Sequence, residues 1–169
     1  MTICIFAKEP VPGRVKTRLA AAIGDRAAAR LAQAFLDDTI APVRSPGLTF
    51  ARSPWAIALG ADSPGLPATH VRAAIEALQT HEAVIGPARD GGYYLLGLTR
   101  VRRDLLAGVA WSTPRARADT ALRLIERGYR TATLRSWFDV DELHDLDRVR
   151  ALLRRGVVRA EATARVLGA

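Results

Sequence analysis

Apolar positions in this chain follow two rhythms. Short, nearly continuous apolar runs occur at Thr2 to Ala7 (TICIFA), Ala56 to Ala61 (AIALGA), Ala83 to Pro87 (AVIGP) and Tyr93 to Leu98 (YYLLGL). The first, nearly continuous and with β-branched residues, predicts a strand buried on both faces, the second is another buried-type run, and the last two read as further strands. Between them, apolar residues recur at helical spacing. Leu19, Ile23, Leu31, Phe35 and Ile40 predict a long Ala-rich helix that Gly24-Asp25 can break, and Val71, Ile75 and Leu78 predict another. Trp111 to Gly128 predicts a helix with Ser112 or Thr113 as N-cap, Pro114 in the first turn and Gly128 as terminator.

Thr131 to Arg135 reads as a further strand. Leu146, Val149 and Leu153 mark a helix over Glu142 to Leu153, and a shorter helix follows Gly156. Pro42 to Pro54 is irregular and proline-rich, as a linker or a shortened element would be. Alternation of strands and helices predicts an α/β fold of three layers with a mainly parallel sheet. No internal repeat or low-complexity segment interrupts it.

Composition adds bounds. A chain of 169 residues fits one domain, taken as 1–169, large enough for a real core. Its 49% hydrophobic and 25% charged residues are those of an ordinary globular protein. No apolar run nears the roughly 18 residues of a membrane span. The N-terminal ICIFA is too short for a signal peptide and has no basic flank before it. A single cysteine, Cys4, excludes an internal disulfide, and a cytoplasmic location is expected. The net charge of +8 raises nucleic-acid binding, but the arginines are dispersed along helices, with no aromatic side chains interleaved to stack bases. The excess charge suits a phosphorylated ligand better.

The charge also has an internal pattern. Of 25 basic residues, all are arginine except Lys8 and Lys16, which both lie in FAKEPVPGRVKTRL. That stretch joins the first strand to a helix through Gly13, with Arg14 and Arg18 beside Lys16. A helix start offers backbone N–H groups to an anion, and an ammonium is a compact point charge suited to phosphate oxygens. The Walker A spacing is absent.

Three further polar stretches carry candidate chemistry. Asp62 follows a strand at the turn GADSPGLP, where a carboxylate is a good hard-cation ligand or a turn cap. ARDGGYY carries Arg89, Asp90, Gly91, Gly92 and Tyr93, either a ligand-approaching loop or a tight hairpin, with one of Tyr93 and Tyr94 in the core. WFDVDELHDLD holds five acids, several of which a helix dipole alone would account for. Asp139 and Asp141 precede that helix, and one of them is placed to be a second metal ligand. The histidines lack zinc-like spacing, and no nucleophile–base pair is recognisable. In open α/β sheets ligands bind beyond the carboxyl ends of strands, and the AKEPVPGRVKTRL, GADSPGLP and ARDGGYY stretches each follow one.

With these residues assembled, the chain resembles the bacterial GT-A-type transferases once grouped under a domain of unknown function, among them glycosyltransferases of arsenosugar biosynthesis. More distantly it is similar to the guanylyltransferases of molybdopterin and phospholactate. The matching stretches are FAKEPVPGRVKTRL, GADSPGLP, GPARDGGYYLLGL and FDVDELHDLDR, in the family's order. The resemblance implies a nucleotide-diphospho-sugar transferase fold with the nucleotide over the first strand–helix loop. It implies donor-phosphate contacts from Lys16, Gly13 and Arg14. Asp62 and Asp141 then hold Mg²⁺ or Mn²⁺, Asp139 being the less favoured choice, and Asp90 with Gly91 to Tyr93 forms the acceptor-side loop. One departure stands out: a strand, a helix and a Gln-Gly-x-Gly-Asp-Leu-Gly segment of the family are reduced here to Pro42–Trp55, so one strand–helix unit is missing.

The expectation is therefore a transferase that takes a nucleotide-activated donor, most simply a nucleotide-diphospho-sugar, and a small-molecule acceptor. Lys16, Asp62 and Asp141 carry the catalysis, and Lys8, Gly13, Arg14 and Arg18 add phosphate contacts. Nucleotidyl transfer to a phosphorylated small acid is the alternative. So is a truncated, non-catalytic remnant that binds nucleotides or a partner. The shortened region would leave sheet surface for a partner subunit, such as a second copy, to cover.

Overall fold

The structure, a computed structural model, describes residues 1–44 and 55–169. In chain order its elements are β1 (Thr2–Phe6), α1 (Thr17–Ile23), α2 (Asp25–Val43), β2 (Ala56–Gly60), α3 (Ala68–Ala77), β3 (Ala83–Pro87), β4 (Tyr93–Leu98), α4 (Ala116–Glu126), β5 (Thr131–Thr133), α5 (Leu143–Arg154) and α6 (Glu161–Leu167). The fold is mixed α/β around a central, mostly parallel sheet of order β1-β2-β4-β3-β5. β4 runs antiparallel to both β2 and β3, and β3 runs parallel to β5. Hydrogen bonds from Thr2 N to Trp55 O and from Ala61 N to Phe6 O join like ends of β1 and β2. Four strands thus share one direction. β4 is reversed because ARDGG is a hairpin loop, too short for the crossover that a parallel neighbour needs.

Three sequence expectations are corrected. β1 is not buried on both faces: its residues alternate between exposed and half-buried, as befits the outermost strand of the order. α4 starts at Ala116 rather than at a Ser112 or Thr113 cap. Ser112 has φ 60°, whereas an N-cap is extended, and Thr113 Oγ1 instead accepts the N–H of Arg115 in the preceding turn. Pro42 lies within the last turn of α2 and not in an irregular stretch. The remainder of the shortened region, 45–54, lies outside the described residues.

The chain divides into two compact units. The first comprises 1–4, 55–60 and 68–138 of the described residues; the second, 5–44, 61–67 and 139–169. Tyr94, Leu95, Ile57, Leu59, Val84 and Val71 are essentially inaccessible in the first, and Phe35, Leu19, Leu31 and Leu146 in the second. Each such side chain contributes about 1.5–3 kcal/mol by leaving water. In the second unit Gly24, at φ 86°, separates α1 from α2 where the sequence allowed a break. Among the described residues no helix is long and apolar enough to cross a membrane.

Candidate functional site

The second unit gathers three of the residues expected to carry chemistry. Lys16 is the N-cap of α1, Asp62 follows β2 by two residues, and Asp141 precedes α5. Backbone contacts bring these segments together: Ala61 N donates to Phe6 O at 3.1 Å, and Val140 N donates to Asp62 O at 2.9 Å. The strand-end turn therefore supports the extended segment before α5 directly.

The Lys16 ammonium bridges the two acids, at 2.7 Å from Asp62 Oδ1 and 2.9 Å from Asp141 Oδ1. Its side chain is 4% exposed, while those of Asp62 and Asp141 are 57% and 42% exposed. The lysine stem is thus buried, with its ammonium 5.9 Å from the centre of the Phe35 ring, and the carboxylates keep an open side toward solvent. A buried ammonium is tolerable only when paired, and here it is paired twice. The trio carries a formal charge of one negative. Lys16 itself sits at φ 49°, ψ 45°, the left-handed region that costs a side-chain-bearing residue about 1 kcal/mol or more. Tertiary contacts hold it there.

Around the trio, two residues act that the sequence reading passed over. Asp145, one of the acids a helix dipole seemed to explain, accepts the N–H groups of Asp141 at 3.1 Å and Glu142 at 3.0 Å on one oxygen. It closes a capping box with Glu142 at the start of α5 and fixes the backbone of Asp141. The Glu-x-x-Asp spacing was the available signal. Ser63, 1% exposed, donates its hydroxyl to Asp139 Oδ1, so the turn after Asp62 and the segment before Asp141 are joined by side chains as well. Below that turn, Gly65 has φ 70°, and a Cβ there would lie 2.0 Å from Val158 Cγ1. Only glycine fits.

Other predicted phosphate residues are arranged differently. Lys8 and Arg14 are exposed, and Arg18 reaches Glu142 only at 3.9 Å with 71% of its side chain exposed. Gly13 has φ 77°, as its loop requires. Of the two lysines, only Lys16 is buried among acids.

The loop of Asp90, Gly91, Gly92 and Tyr93 belongs to the first unit. Asp90 Oδ1 accepts the N–H of Gly92 at 2.8 Å, an Asx turn. Gly91, at φ 93°, gives its carbonyl to Arg117 N at 3.1 Å, and a Cβ would lie 2.2 Å from Pro114 O. The paired glycines serve a tight hairpin held against the start of α4. Tyr93 packs its edge on Trp111 and its hydroxyl pKa is raised by burial; Tyr94 is the core member, its pKa raised further for the same reason.

A hard cation fits the two acids. Asp62 Oδ1 and Asp141 Oδ1 converge on one point, both carboxylates keep exposed sides for water or phosphate, and Mg²⁺ is commonly held by one or two carboxylates. No cluster of three or more metal-ligating side chains occurs among the described residues, so the remaining ligands would come from solvent and substrate.

The chain as a whole is similar to known proteins at the level of family and fold. The profile of a bacterial protein family, DUF2064, described as uncharacterised and conserved in bacteria, matches residues 10–113. Among solved structures, the chain is similar to a crystal structure from Desulfovibrio desulfuricans G20, provisionally assigned as a nucleotide-diphospho-sugar transferase. The TM-score is 0.83 at 25% sequence identity, over 98% of this chain and 93% of that one. None of the proteins of curated function matches.

Proposed function

Since the chain belongs to the bacterial DUF2064 family, whose matched span of 10–113 covers more than half of it, we propose that it is a transferase using a nucleotide-activated donor. More finely, we assign it glycosyl transfer from a nucleotide-diphospho-sugar, assisted by Mg²⁺ or Mn²⁺ held by Asp62 and Asp141. The observation that carries this reading is the Lys16–Asp62–Asp141 trio, in which two carboxylates at element ends lie within 3 Å of the lysine nitrogen. The fold likeness to the provisionally assigned sugar transferase supports the same class.

In the proposed reaction the bond from the sugar's anomeric carbon to the diphosphate oxygen breaks and its electron pair goes to that oxygen. An acceptor hydroxyl oxygen forms the new bond to carbon and releases its proton to solvent. Lys16 then neutralises charge on the departing diphosphate. A bound Mg²⁺ or Mn²⁺ would supply Lewis-acid neutralisation of the same charge. Asp62 and Asp141 orient Lys16 in the free protein, and Asp145 keeps Asp141 in place. The acceptor is assigned to the loop of Asp90 to Tyr93 on the resemblance of that stretch alone.

Calorimetric titration of UDP, GDP, GTP and UDP-sugars, with and without Mg²⁺, tests the reading. Metal-dependent binding weakened about tenfold or more by Lys16→Ala and by Asp62→Ala is expected, given charge-assisted contacts. Turnover should release free nucleoside diphosphate. Release of pyrophosphate would replace glycosyl with nucleotidyl transfer, and no binding to any nucleotide would overturn the transferase reading.

A further inference from the structure

The position of Lys16 has a consequence for the order in which ligands bind. Its ammonium occupies the very point where the Asp62 and Asp141 oxygens converge, at 2.7 and 2.9 Å. A divalent cation shared by the same two oxygens requires nearly the same space, because hard cations sit about 2.0–2.6 Å from carboxylate oxygens. Lysine and metal therefore compete for the two acids.

A displaced lysine cannot simply retreat. Its side chain is 4% exposed and its neighbours include the Phe35 ring, so an unpaired ammonium left there would bear a large desolvation penalty. It needs a second anion. The tether to the left-handed N-cap of α1 limits where that anion can lie.

We propose that Lys16 is a displaceable internal cation: it fills the divalent-cation position of the free protein and couples metal binding to the arrival of a phosphate-bearing ligand that accepts the released ammonium. The inference rests on the reading of Asp62 and Asp141 as metal ligands. In the free protein the lysine keeps the two acids together and suppresses metal binding. With the donor bound, each cation faces an anion of its own. The coupling is reciprocal, as linkage requires: metal strengthens the ligand as much as the ligand strengthens metal.

Mn²⁺ titration of the full chain without nucleotide, followed by electron paramagnetic resonance of the free ion, tests this. Lys16→Asn suits the site because asparagine tolerates the left-handed backbone, and Lys16→Met is a second neutral variant that keeps the stem. Both should bind Mn²⁺ at least about tenfold more tightly than wild type, since each removes a positive charge from contact with the ligating oxygens. Adding Asp62→Asn to either should abolish the gain. Unchanged or weaker affinity in a folded Lys16 variant, or Mn²⁺ binding to none of the proteins, would overturn the proposal.

A second readout uses the chain's own labels. With only Lys8 and Lys16 present, protein carrying ¹³C at lysine Cε gives two signals. Saturable Mg²⁺ should move that of Lys16 and leave exposed Lys8 as an internal reference. A Lys16 signal unmoved at saturation would also overturn it. Tighter metal in Lys16→Asn with no nucleotide binding anywhere would sink the transferase reading alone; metal-dependent turnover with unchanged metal affinity would sink this one alone.

Discussion

Asp38 and Thr163, 125 residues apart in sequence, are joined twice: Asp38 Oδ2 accepts the Thr163 N–H at 2.9 Å and its hydroxyl at 2.6 Å. The other oxygen, Oδ1, takes the N–H of Ala162 at 2.9 Å. An acid of α2 thus caps α6 from outside, since α6 has no side-chain cap of its own. Capping and a favourable first-turn charge coincide at one buried carboxylate.

Asp38→Ala is therefore expected to destabilise the fold by about 2–3 kcal/mol, because it leaves three donors at a buried helix start without their acceptor. Urea denaturation would show the lowered midpoint. Asp38→Asn, which retains one acceptor oxygen, should lose less. Equal stability of wild type and Asp38→Ala would mean that water replaces the carboxylate.

Gly65→Ala is expected to cost more than its size suggests. The new methyl would meet Val158 Cγ1 at 2.0 Å, and φ 70° strains any side chain. A loss of about 2–4 kcal/mol is expected from overpacking and strain together. Val158→Ala in the same chain should recover part of it, the strain remaining. A thermal melt of the single and double variants reads both.

His70 gives the first unit a pH dependence. Its ring packs edgewise on Tyr94 and Trp137, its two nitrogens have no hydrogen-bond partner among the described residues, and its pKa is lowered from 6.5 by burial and then by the Arg135 charge. The unfolded chain thus takes up this proton at higher pH than the folded one. Stability from His70 is fully present above about pH 6.5 and falls as the solution is acidified toward the depressed folded value. The urea midpoint of His70→Phe should drop less than that of wild type between pH 7.5 and pH 5.5, with the shared carboxylate contribution cancelling in the comparison.

Asp145→Ala should lower stability by roughly 1 kcal/mol, the usual worth of a cap. It should also weaken Mn²⁺ and nucleotide binding several-fold although Asp145 touches neither Lys16 nor Asp62 in the trio. Asp145→Glu, which retains a carboxylate, should restore part of both. Lost stability with unchanged binding would confine Asp145 to a capping role.

How much of this was legible in the sequence follows from what each signal depends on. The Tyr93 to Leu98 and Ala83 to Pro87 strands were read to the residue, because unbroken apolar runs between turn signals leave little choice. The reversed direction of β4 stays open in the sequence, where ARDGG reads equally as a ligand loop or a tight hairpin: it depends on how a five-residue loop closes rather than on any apolar period. The start of α4 was placed early, since Ser-Thr-Pro is a cap signal only if the serine is extended. Lys16 and Asp62 stand out by composition and by position at element ends, whereas Asp141 is preferred to Asp139 only through the family resemblance. Their mutual pairing was not legible, because it needs Val140 to bond the Asp62 carbonyl across the fold.

The same tertiary stitching bears on where this protein can be cut. The family profile spans residues 10–113, while Asp141 and Asp145 follow later in the chain and Val158 closes over Gly65 from later still. A fragment ending at the profile's edge would retain the Lys16–Asp62 pair without its second acid and lose the scaffold beneath their turn. The span that identifies a relative is therefore not a unit of inheritance for the charged trio. Any recombination or trimming that respects only the profile would carry the lysine away from one of its acids.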